Sequence, residues 1–97
     1  MSVVPLPVEI ENVAAKLNLP PQNLLKRSLR AFLRQEMRAT QMDIADLQDR
    51  YGVESFKELT LYIKKGEIYS HPAWEDSIEW EHLERYLKHL ENVLSEF

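Results

Sequence analysis

PPQNLLKRSLRAFLRQEMRATQMDIADLQDRYG, residues Pro20–Gly52, is the stretch whose reading decides the fold. Leu25, Leu29, Leu33, Met37, Thr40, Ile44, Leu47 and Tyr51 recur at steps of four and three. That spacing draws one apolar seam down a single long helix, Pro21 to Arg50, of about eight turns, with coiled-coil spacing in its second half. Leu24, Ala31 and Phe32 widen the apolar surface of the first half, where several neighbours are expected. Pro20-Pro21 blocks any helix arriving from before and suits a first turn, whereas Gly52 ends this one, with Val53 placed for a hydrophobic cap contact.

Outward from this helix the remaining elements are short. On the N-terminal side, Ile10, Val13, Ala14 and Leu17 mark one face of a helix over Glu9–Leu17, and Asn18 suits its left-handed terminator. Before it, Ser2–Val8 is β-branched and interrupted by Pro5 and Pro7, which restricts it to an edge strand or extended arm. On the other side, Ser55-x-x-Glu58 has the pattern of a capping box and opens a helix burying Phe56, Leu59 and Ile63. Gly66 ends that helix. Pro72 then begins a last one, in which Trp80, Leu83, Leu87, Leu90, Leu94 and Phe97 form the seam. The expected fold is mainly α: an N-terminal arm or β-strand followed by about four helices, in one domain over residues 1–97 and built as an intertwined homodimer. Self-association is expected because 97 residues bury only a modest core.

Composition narrows the function classes. With 44% apolar and 29% charged residues and two glycines, the chain reads as globular and helical. It has no cysteine, which removes disulfides and thiolate chemistry and is compatible with a reducing compartment. No apolar run reaches the ~20 residues of a membrane span, and the start lacks the basic region of a signal peptide, so a cytoplasmic protein is expected. Charge is polarised. Lys16, Lys26, Arg27, Arg30, Arg34 and Arg38 face only Glu36 over residues 16–38, whereas residues 67–97 carry eight acids against Arg85 and Lys88. These halves can bind different partners or attract each other.

Little points to catalysis. Glu79-x-x-His82 offers two ligands on one helical face, half of what a helical di-iron site uses, and the second copy is missing. Glu75, Asp76 and Glu79 form carboxylate pairs without the flanking signs of a pocket, and no phosphate loop or nucleophile motif occurs. The expectation is a protein that is not an enzyme, with no metal, cofactor or small-molecule substrate. The arginines carry more information. Arg27, Arg30, Arg34 and Arg38 form a stripe suited to phosphate, with Lys26 beside it; the plain alternative is neutralisation by Glu36 or by the acidic last helix. Trp74 and Trp80, among Glu75, Glu79 and Glu81, suit anchors in a partner's basic surface. Trp80 sits in the seam and reads as core. Trp74 precedes the seam and stays open between core and interface.

VVPLPVEIENVAAKLNLPPQNLLKRSLRAFL, residues 3–33, resembles the ribbon-helix-helix proteins, many of them antitoxins of prokaryotic toxin–antitoxin pairs, in its arm ending Leu6-Pro7, short helix, turn and second helix. MDIADLQDRYGVESFKEL and HPAWEDSIEWEHLERYL, within residues 34–97, look like the helical extension of small cyanobacterial and archaeal antitoxin-like proteins. The resemblance implies a homodimer whose paired arms meet duplex DNA and whose extension neutralises a toxin encoded by an adjacent gene. It places Lys26, Arg27, Arg30 and Arg34 on phosphates, and Trp74, Glu75, Glu79 and Glu81 on the toxin. The arm departs from the family in offering valines, Leu6 and prolines where base edges need polar groups. A structural or adaptor helical protein with no nucleic-acid role is the other expectation.

Overall fold

The computed structural model describes residues 5–97 as four helices: α1 (Val8–Lys16), α2 (Pro21–Tyr51), α3 (Phe56–Lys64) and α4 (Ser70–Ser95). The long helix runs through all 31 residues of Pro21–Tyr51. Its start carries Pro21 in the first turn, where the missing N–H has no helical partner to lose. Its end is set by Gly52 at φ +64°, with the Gly52 and Val53 N–H groups both donating to the Gln48 carbonyl at 2.8 and 3.3 Å. Asn18, at φ +57°, turns the chain between α1 and α2.

The N-terminal strand expected from Ser2–Val8 is overturned. No strand occurs among the described residues, and Val8 opens α1. Pro5–Pro7 are irregular and lead into the helix, where the Pro7 carbonyl accepts from the Ile10 and Glu11 N–H groups at 3.1 and 3.3 Å. Two prolines in three residues leave one N–H to offer a ladder, too few to hold a ribbon. Ser2, Val3 and Val4 lie outside the described residues. Without a paired strand the ribbon-helix-helix fold, and the dimer intertwined through its arms, do not describe this chain.

Helix α4 runs back along α2. Tyr51 and Arg50 meet Asp76, Glu36 meets Tyr86, and Arg30 meets Phe97, so the two helices are antiparallel from one end of their contact to the other. Helix α3 packs on α4 beside the Tyr51 end, and α1 packs on α2 at the opposite end. The core is concentrated where three helices meet: Ile44 and Leu47 from α2, Val53, Leu59 from α3, and Ala73 and Trp80 from α4. Trp80 and Leu59 are its largest fully buried side chains. Buried Thr40 and Ser77 satisfy their hydroxyls on their own helices, against the Glu36 and Trp74 carbonyls at 2.8 and 2.7 Å. The molecule is a rod of 60 × 29 × 19 Å. Its last helix is assigned from Ser70, two residues before the expected start; His71 is non-helical (φ −122°, ψ 123°), as residues before proline tend to be.

Candidate functional site

The α3/α4 surface collects apolar side chains that the core leaves outside. Helix α3 buries Leu59 and half-buries Phe56 and Ile63, which turns Leu61 outward at 48% exposed. Helix α4 buries Ala73, Ser77 and Trp80, which turns Trp74 and Ile78 to the adjacent face at 47% and 42%. Trp74 and Ile78 are four residues apart and therefore stacked on one side of the helix. With Phe56, Thr60 and Leu61 they line a groove between the helices. Its rim is charged on both sides: Lys57 and Lys64 stand on α3, and Glu81 on α4. Glu81 accepts from Arg85 at 2.6 Å. Past Phe56 and Glu81 the surface continues along Glu84, Arg85, Leu87, Lys88 and Glu91.

The four residues expected to meet a partner are thus divided. Trp74 and Glu81 line the groove together. Glu75 sits a step around the helix, 3.1 Å from His71 Nδ1; its own main-chain N–H first, and then His71, hold its carboxyl below the usual range. Glu79 faces the α2 side, near Asp43, Asp46 and Arg50, away from the groove. Ile78, outside the expected seam, is surface as well. Leu61, Lys57 and Lys64 were not among the expected site residues. Their signal is present in hindsight: Leu61 falls off the Phe56, Leu59 and Ile63 face. His82 is exposed, and no group of three or more His, Asp and Glu side chains placed to hold an ion occurs among the described residues.

Most of the basic stripe stands exposed along α2, outside the ion pairs of the described residues. Lys26, Arg27, Arg34 and Arg38 are exposed on α2. None of the three ion pairs among the described residues includes them. Arg30 is half-buried and donates to the Phe97 main-chain oxygen at 3.0 Å, so it leaves the stripe to tie down the end of α4. Glu36, the local acid, accepts instead from the Tyr86 hydroxyl at 3.1 Å, and its hydrogen bond and charge raise the Tyr86 pKa.

One polar cluster was missed altogether. Asp76 accepts from both the Tyr51 hydroxyl and Arg50 Nη1, the latter at 3.0 Å, and joins the end of α2 to the start of α4. Burial first, and then the hydrogen bond and charge of Asp76, push the Tyr51 phenol up to about 12, against a lowering by Arg50. The hydrogen bond to Asp76 raises Arg50 as well. In the sequence Tyr51 reads as a seam position, Arg50 as the end of the long helix and Asp76 as one of a set of paired carboxylates.

No helix among the described residues is long and apolar enough to cross a membrane. No curated protein and no solved structure matches the chain. A family model does match, over residues 1–97, and on that match the chain belongs to the Uncharacterized protein MJ0235 family.

Proposed function

We propose that this protein works by binding another protein, with the α3/α4 groove as the contact and Trp74 as its anchor, in a cytoplasmic setting and without catalysis. The observation that carries the reading is the gathering of Trp74, Ile78 and Leu61, each more than two-fifths exposed, on one groove although the core beneath is complete with Trp80. A tryptophan anchor ringed by charged side chains is the usual make-up of an energetically dominant contact. The rim carries Lys57 and Lys64 as well as Glu81, so it fits an amphipathic helix with charges of both signs better than a uniformly basic surface. This is an adaptor-like or antitoxin-like role on a fold of packed helices.

The product of the adjacent gene is the first partner to test, by co-expression and co-purification. The expected result is a stable complex that Trp74→Ala weakens at least about 30-fold. Failure to co-purify rules out the antitoxin form, and a complex indifferent to Trp74→Ala rules out the groove.

A second reading rests on the exposed Lys26, Arg27 and Arg34, which suit the phosphates of duplex DNA. Binding is expected to weaken steeply with salt and to fall on Arg27→Ala with Arg34→Ala; no affinity at about 50 mM salt removes it.

A further inference from the structure

The seam of α2 is buried along only part of its length. Leu33, Thr40, Ile44 and Leu47 are buried on the helix against which α4 packs, and the end of α4 reaches α2 through the hydrogen bond from Arg30 to Phe97. Toward the N-terminus the same repeat continues without that cover: Leu25 is half-buried, Leu29 is 41% exposed and Phe32, on the neighbouring row, is 55% exposed. The packed neighbour α1 adds its own outward row, Val13 at 46% and Leu17 at 58%, while its Ala14 is fully buried. Two apolar rows on adjacent helices therefore mark the end of the rod opposite the Trp74 groove.

We propose that this α1/α2 end is covered by a second copy of the chain, in a two-fold dimer formed helix against helix. Area gives the first argument. The accessible surface is 7509 Å², whereas a compact chain of 11.5 kDa exposes about 5,800 Å². The surplus, about 1,700 Å² per chain spread along the rod, is enough for two copies to supply the roughly 2,000–5,000 Å² that an obligate homodimer buries. Shape agrees, because the Cα radius of gyration is 20.0 Å against about 13 Å for a compact domain of this length.

Charge selects a second copy as the occupant. Helix α1 carries Glu9 and Glu11 in its first turn and Lys16 in its last. In a two-fold pairing that sets the two α1 helices antiparallel, Lys16 of each copy meets the acids of the other. The pairing leaves the basic stripe open. At 100° per residue, Arg27 and Arg34 lie about 160° and about 140° around α2 from Leu29, so the stripe of each copy faces outward from the dimer.

The test uses the full chain. Light scattering and sedimentation equilibrium at micromolar concentration are expected to give twice 11.5 kDa, and Leu29→Glu with Phe32→Glu to weaken association at least about 100-fold with helicity kept. Tyr69→Ser removes exposed aromatic surface elsewhere and is expected to leave the mass unchanged. Because the chain has no cysteine, single variants Val13→Cys, Leu17→Cys, Leu29→Cys and Phe32→Cys report the face directly even if the double variant fails to fold. An oxidised dimer from at least one of them supports the pairing. A monomer at every concentration, or a dimer that none of the four cross-links, overturns it. Neither outcome bears on the groove, whose test is loss of the partner on Trp74→Ala.

Discussion

The two tryptophans lie six residues apart on α4 and do opposite things, since Trp80 is fully buried and Trp74 is 47% exposed. Replacing Trp80 by alanine opens a cavity in the cluster to which α2, α3 and α4 all contribute, and is expected to cost about 3–5 kcal/mol in urea unfolding. Trp74→Ala, by contrast, is expected to stay within about 1 kcal/mol. Equal losses would mean that Trp74 belongs to the core. Tyr51 supplies a pH signature at the same scale. Its folded-state pKa, about 12, stands above the ordinary 10.0. The native state therefore holds the phenolic proton more tightly than the unfolded chain does. That contribution is complete below pH 10 and is lost as pH rises toward 12. The difference in unfolding free energy between the natural chain and Tyr51→Phe is expected to shrink across this window, and a flat difference would contradict the assignment.

At the scale of the element, the ends of the helices are fixed by single residues. Ser55 Oγ accepts from the Glu58 N–H at 3.1 Å, while Glu58 reaches back to the Glu54 N–H at 3.0 Å. The expected capping box is present in a variant in which the glutamate serves the residue before the cap. Ser55→Ala is expected to destabilise the chain by about 1 kcal/mol, with faster amide exchange in α3. Exchange that rises equally everywhere would show that α3 has no separate opening. Gly52 tests backbone alone, because a Cβ there would meet nothing within 4 Å yet would sit at φ +64°. Gly52→Ala is expected to cost about 1–2 kcal/mol through the left-handed conformation, measured by urea unfolding.

At the scale of the whole molecule, stability is uneven along the rod. The main cluster lies at the α2/α3/α4 end, whereas α1 is held by α2 alone among the substantial helix contacts. Amide protection is expected to be highest over residues 40–51 and 73–90 and lower over α1 and the start of α2 in dilute protein. If copies pair through that end, its protection rises with concentration by mass action while the other end changes little. Uniform protection at all concentrations would contradict both the gradient and the pairing.

Periodicity and end signals were enough to give the helices. The four-and-three step of the α2 seam, Pro21, Gly52, Ser55 and Gly66 act through bonds within a few residues of themselves, so the chain states them locally. The arm forms no strand among the described residues, because β-branched composition does not suffice where pairing needs a partner edge that Pro5 and Pro7 oppose. Which apolar residues are left over is not local. Trp74, Ile78, Leu61, Leu29 and Phe32 resemble core residues in type and spacing. Only the antiparallel register of α4, ending at Arg30, and the seat of α3 beside it determine that these remain outside. The joining of Tyr51, Arg50 and Asp76 is likewise a product of that register. Sequence alone set which segments are helical and, to within about two residues, where each begins and ends, because those follow from near-neighbour hydrogen bonds and capping. Tertiary structure decided which faces are spent in packing, because burial depends on the distance between segments far apart in the chain.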